Sequence, residues 1–150
     1  MTERDIKLEI DRFFDCPIEE LYSAWIEPEQ LKQWHAPQNV EVGDVQVDLR
    51  VGGTYRIEML HDDDKNNCIA TGEYLEIENN RRLVYTWGWE GPDRYETLVT
   101  VEFIEKNGGT ELLLKHQRFA NNSARDKHEF GWNGCLESLR QYLKLNRGCH

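Results

Sequence analysis

His116, Arg125 and His128 are three basic side chains that two different periodicities bring toward one end of a prospective core. His116 continues the alternating series Leu112, Leu114, while Arg125 and His128 open the buried stripe of a long helix. Together they suit a carboxylate, phosphate or phenolate head beside an apolar wall, which is how small-molecule sites are commonly built. Side chains that simply reach solvent at the sheet rim would give the same pattern. His116 also titrates near working pH and so qualifies as a general base. No orienting carboxylate can be identified for it. Ser23, Ser123 and Ser138 lack the G-x-S-x-G setting of a nucleophile, so no catalytic residue is assigned.

Metal and phosphate chemistry are less well supported. Asp62-Asp63-Asp64-Lys65-Asn66-Asn67 followed by Glu73 comes close to a calcium loop, with Asn67 where glycine belongs. The segments on either side read as strands rather than helices, so a solvated hairpin tip is expected. Five histidines and four cysteines show no zinc spacing, Cys149-His150 included. Gly52-Gly53 lacks the lysine, the Ser/Thr and the following helix of a phosphate loop. A strand-to-strand bend accounts for it better. No metal and no cofactor is expected.

These residues need a scaffold. At 150 residues the chain has the size of one domain, and residues 1–150 are read as one. Its 39% hydrophobic and 11% aromatic content suffices for a core. Acidic residues outnumber basic ones 28 to 18, a formal net charge of −10, which repels phosphate backbones and anionic membranes. Nucleic acid is therefore a poor partner, and no apolar run is long enough to span a bilayer. Met1–Asp5 is polar and runs straight into a strand, so no secretory signal is read. Cys16, Cys68, Cys135 and Cys149 stand far apart. Two disulfides would use all four, but the reduced, cytoplasmic reading is preferred.

Ile6, Leu8 and Ile10 alternate with charged residues as in a half-buried strand. Pro17 and Pro28 then open two short helices carrying Leu21, Tyr22, Trp25, Leu31 and Trp34. The aromatic pair Trp25 and Trp34 forms either a lid or a plug at one end of the core. From Val42 the period is two. Six strands follow, separated by Gly52-Gly53, the polar stretch His61–Asn67, Asn79-Asn80, Gly91-Pro92-Asp93 and Asn107-Gly108-Gly109. After Asn121-Asn122-Ser123 comes a proline-free stretch of about 24 residues, long enough for seven helical turns. Its apolar stripe holds Arg125, His128, Trp132, Cys135, Leu136, Leu139 and Leu143. The expected fold is α+β: a curved antiparallel sheet around the C-terminal helix, with two short helices after strand one. Only that last helix is long enough to cover the sheet's apolar face.

Several ordered motifs resemble one family. They are Phe13–Trp25, Pro28–Trp34, Asp48-Leu49-Arg50-Val51-Gly52-Gly53, and Gly109-Thr110 with Leu112, Leu114 and His116. The last runs from Gly131 to Leu136 and on through Leu139 and Tyr142-Leu143. They are similar to proteins related to the C-terminal domain of the activator of the 90-kDa heat-shock protein ATPase, within the START-like or SRPBCC superfamily. The resemblance implies the helix-grip fold. It also implies a functional range that includes lipid carriers, polyketide cyclases, toxin-sequestering proteins and chaperone activators.

The expected function is binding of an apolar or aromatic small molecule between sheet and helix. The alternatives are chaperone-ATPase regulation and a polyketide cyclase or hydratase-like activity using His116. The expected lining is Trp34, Tyr55, Ile57, Tyr85, Trp87, Val99, Leu114, His116, Arg125, His128, Trp132, Cys135, Leu136 and Leu139. A chaperone and a second copy of the chain stay open as partners.

Overall fold

The computed structural model describes residues 6–36, 40–60 and 67–146. The acidic stretch Asp62–Asn66, Met1–Asp5 and Cys149-His150, all weighed above, lie outside the described residues. Elements run in the order β1 (Lys7–Phe14), α1 (Ile18–Ile26), α2 (Pro28–Trp34), β2 (Glu41–Val47), β3 (Thr54–Leu60) and β4 (Cys68–Glu78). They continue with β5 (Arg82–Trp89), β6 (Thr97–Lys106), β7 (Gly109–Gln117) and α3 (Asn122–Asn146). The strands form one antiparallel sheet of order β1-β7-β6-β5-β4-β3-β2. Strands two to seven thus form a meander, and β1 closes the far edge against β7 in unbroken register from Lys7↔Gln117 to Phe14↔Thr110.

The turn residues do what their chemistry allows. Asn80 and Asn107 take positive φ values of 61° and 51°, and Gly108 follows at 81°. Asn tolerates that region better than other side chains, and Gly has no Cβ to clash. Gly72 serves a different purpose. A Cβ there would lie 1.8 Å from the Thr86 carbonyl oxygen and 2.6 Å from the Tyr55 hydroxyl. Its absence lets Tyr55 donate to that carbonyl at 2.6 Å from within the core.

Alternate residues of each strand face inward onto α3. Tyr55, Ile57 and Met59, then Leu83, Tyr85 and Trp87, then Val99, Val101 and Phe103 are all buried in one core. Helix α3 starts where Asn121 Oδ1 accepts the Ala124 N–H at 2.8 Å, an N-cap to N3 bond. It then buries Trp132, Cys135, Leu136, Leu139 and Leu143. Tyr142 donates to Gln30 Oε1 at 3.1 Å and so ties α3 to α2. Trp132 stacks on Trp25 of α1 with ring centroids 6.1 Å apart. This is the helix-grip architecture. Among the described residues no helix is long and apolar enough to cross a membrane.

The reduced reading of the cysteines needs correction at one position. Cys16, at the β1–α1 junction, is disulfide-bonded, while Cys68 and Cys135 keep their thiols.

Candidate ligand-binding site

Described residues enclose two spaces between the sheet and its helices. The first is a cavity of about 340 Å³ between the ends of β3, β4 and β5 and the first half of α3. Met59, Cys68, Trp87 and Trp89 line it from the strands, and His128, Trp132 and Cys135 from the helix. His35 and Val40, which flank α2 and β2, close one side, while Lys127, Phe130 and Gly131 form its rim on α3. The second space measures only about 20 Å³ and lies deeper, among Trp25, Leu31, His35, Tyr55, Ile57, Tyr74, Tyr85 and Trp87. That is room for about one water molecule. The middle of the grip is therefore filled with aromatic rings, and the usable volume is displaced toward the N-terminal half of α3.

The sequence-predicted residues divide accordingly. Trp87, His128, Trp132 and Cys135 line the larger cavity. Tyr55, Ile57 and Tyr85 meet around the smaller space. Trp34 packs 4.7 Å from Trp25 and donates its indole N–H to the Ala24 carbonyl at 2.9 Å, so this aromatic pair plugs the core. Val99, Leu114, Leu136 and Leu139 lie in the core and do not line either of the two spaces. Arg125 is half-exposed and pairs with Asp126, its Nε 3.1 Å from the carboxylate.

His116 is fully buried and fully bonded. The Trp132 indole N–H donates to its Nδ1 at 3.0 Å, which leaves the imidazole proton on Nε2. That proton goes to Thr97 Oγ1 at 2.6 Å, and the threonine hydroxyl donates to the Trp87 carbonyl at 2.9 Å. Every proton in the chain has an acceptor. Burial, with the nearby His128 adding to it, holds the His116 pKa well below its ordinary value. The ring thus has no lone pair left with which to take a substrate proton. Of the three basic groups, His116 and His128 meet with ring centroids 5.1 Å apart, while Arg125 bonds to Asp126.

The residues of the larger cavity that sequence reasoning left out are His35, Val40, Met59, Cys68, Trp89, Lys127, Phe130 and Gly131. Met59 and Trp89 continue the period-two inner face to the strand ends. Gly131 precedes Trp132 on α3 and lines the cavity, and a Cβ there would meet nothing within 4 Å. His35 has no periodic signal because it follows the last residue of α2.

Burial makes the cavity uncharged within. The His35 pKa falls to about 4, mainly through loss of water, with its own backbone opposing weakly. Burial also lowers His128, whose Nδ1–H donates to the Ala124 carbonyl at 2.8 Å. The Cys135 thiol is pushed up to about 12 and Cys68 is raised, both by burial. Neutral imidazoles make poor anion sites, and protonated thiols make poor nucleophiles. Among the described residues no carboxylate lines the cavity, and no cluster of His, Cys, Asp and Glu has metal-binding geometry. The cavity is walled mainly by apolar and aromatic side chains.

Comparison with known proteins agrees with the architecture. An AHSA1 protein from Silicibacter pomeroyi superposes with a TM-score of 0.82 at 26% identity, covering 93% of this chain and 99% of the other. An uncharacterized protein from Rhizobium leguminosarum gives 0.79 at 29% identity over 94% and 95% of the two chains. CalU16 from Micromonospora echinospora gives 0.71 at 26% identity over 91% and 75%. An uncharacterized protein of Schizosaccharomyces pombe is 27% identical over 105 residues. That match takes in 67% of this chain, which spans only 26% of the yeast protein. The profile of the family described as "Activator of Hsp90 ATPase homolog 1-like protein" matches residues 15–144. The chain belongs to the Activator of Hsp90 ATPase homolog 1-like family.

Proposed function

We propose that the chain binds an apolar or aromatic small molecule in the cavity between β3–β5 and the first half of α3, and does so without catalysis. The observation that supports this most is the cavity itself: about 340 Å³, walled by Met59, Trp87, Trp89, Trp132 and Cys135, with few polar groups. Ligand sites are typically concave, mostly apolar and of this order of size. The cyclase-like alternative has little support, because the histidine it needs is buried and bonded on both nitrogens. The family description favours a second reading, regulation of a chaperone ATPase. That activity would use exposed surface and would survive filling the cavity.

Gly131→Trp separates the two. The new side chain starts in open space at a position that lines the cavity. Trp also favours a helix interior more than Gly does, by about 0.5 kcal/mol. The expected variant melts no lower than the parent and binds Nile red, followed by its fluorescence, at least roughly tenfold more weakly, as occupied volume excludes the probe. A folded variant that binds the dye as the parent does would remove the cavity as the site.

A further inference from the structure

Four of the five tryptophans are buried, and three of those four have a hydrogen-bond acceptor for the indole N–H. Trp25 donates to the Tyr85 hydroxyl at 3.2 Å, Trp34 to a carbonyl and Trp132 to His116. Trp87 is different. Its Nε1 is sealed from solvent and has no partner among the described residues, and the same is true of His35 Nδ1. Buried polar atoms left in this state are rare in folded proteins, and each calls for an explanation. The two rings are neighbours, lying nearly parallel with centroids 5.8 Å apart. Among the described residues they are also the only two that line both the 340 Å³ cavity and the 20 Å³ space behind it. The two orphaned atoms thus belong to the wall at the deep end of the cavity.

An indole N–H can only donate, and a neutral imidazole nitrogen can accept. A hydroxyl group does both at once. We infer that, given the ligand-binding reading above, the His35–Trp87 wall is the polar end of the site and selects ligands carrying one neutral hydroxyl, as a phenol or an alcohol does. The hydroxyl oxygen accepts from Trp87 Nε1 and its hydrogen goes to His35 Nδ1. Both atoms are closed off in this structure, so the hydroxyl reaches them through a small turn of the His35 ring. The rest of the molecule lies against Met59, Trp132 and Cys135. A carboxylate is disfavoured in the same place. Burial keeps His35 and His128 neutral, and the one lysine lining the cavity, Lys127, is exposed at its rim. An anion at the deep end would be desolvated with no cation to meet it.

Three probes of one shape test this at pH 7: naphthalene, 2-naphthol and 2-naphthoate, titrated by calorimetry into the intact chain. 2-Naphthol should bind about three- to tenfold more tightly than naphthalene, the range a neutral hydrogen bond supplies. 2-Naphthoate should bind more weakly than 2-naphthol. In Trp87→Phe and in His35→Leu the ratio of 2-naphthol to naphthalene affinity should fall to about one, whatever either change does to naphthalene binding itself. Equal binding of naphthalene and 2-naphthol by the parent, or an advantage that persists in both variants, overturns the polar end and leaves the site standing. Tightest binding by 2-naphthoate also overturns it. Failure of all three probes to bind sinks the ligand-binding reading itself. Should the variants not fold, the ¹⁵N-labelled parent decides: the Trp87 indole N–H resonance should move downfield with 2-naphthol and not with naphthalene. An unmoved resonance counts against the inference.

Discussion

Lowering the pH from 7 to 4 is expected to reduce the stability of this protein by about 3 kcal/mol through His35 alone. The sign follows from burial. In the unfolded chain His35 takes up a proton near the ordinary histidine value, 6.5, whereas in the fold it resists protonation until about 4. A depressed folded pKa contributes stability above the unfolded value, and that stability is lost as pH falls toward the folded one. The window is therefore pH 6.5 to 4. His116 and His128 are shifted in the same direction and deepen the loss within it. Urea unfolding at half-unit intervals would show the midpoint dropping steadily below pH 6.5. His35→Gln should flatten the curve, because one of the three protons no longer distinguishes the two states. A parent whose stability stays level from pH 7 to pH 5 would show that these imidazoles are not held neutral.

The second large effect is expected at His116. His116→Leu should cost about 2–3 kcal/mol, because it strands the Trp132 indole N–H in a dry interior. Thr97 keeps its bond to the Trp87 carbonyl and is not stranded. Adding Trp132→Phe removes the stranded donor, so the double variant should lose less than the two single changes summed, by about 1 kcal/mol. The binding readout matters as much as the energy. Nile red affinity should stay within about twofold in His116→Leu at temperatures where it is folded, as His116 does not line the cavity. A stable variant that loses the dye would make His116 a ligand contact after all.

Much of the architecture is legible in the residues. Alternation along Tyr55-Ile57-Met59 and Leu83-Tyr85-Trp87 marks strands because only one sheet face is buried. The prolines at 17 and 28 start helices, and the stripe from Trp132 to Leu143 can belong only to a helix. The site is legible to a lesser degree, and for a physical reason. Periodicity tells which side of an element a residue faces, and the inner face of a grip is mostly plain core. Whether that core leaves a void depends on how large the facing side chains are. Tyr55, Tyr74 and Tyr85 nearly fill the centre, whereas Gly131 and Cys135 leave the flank open. His116 shows the same gap between pattern and chemistry. Its place on the inner face is readable, but its bonds to Thr97 and Trp132 join three separate elements and leave no trace in local spacing.

The pairing of β1 with β7 bears on how the chain is made. β1 ends at Phe14 and its sheet neighbour among the described residues begins at Gly109, roughly a hundred residues later. A ribosome adding about 5–20 residues per second needs roughly 5–20 s to produce one after the other. Throughout that interval Leu8, Ile10 and Phe14 have no partner strand. The helix that covers the finished sheet is translated later still. The nascent polypeptide therefore cannot acquire its fold piecemeal from the N-terminus. It stays open to aggregation, and to capture by holding factors, until its last strand and helix have cleared the exit tunnel.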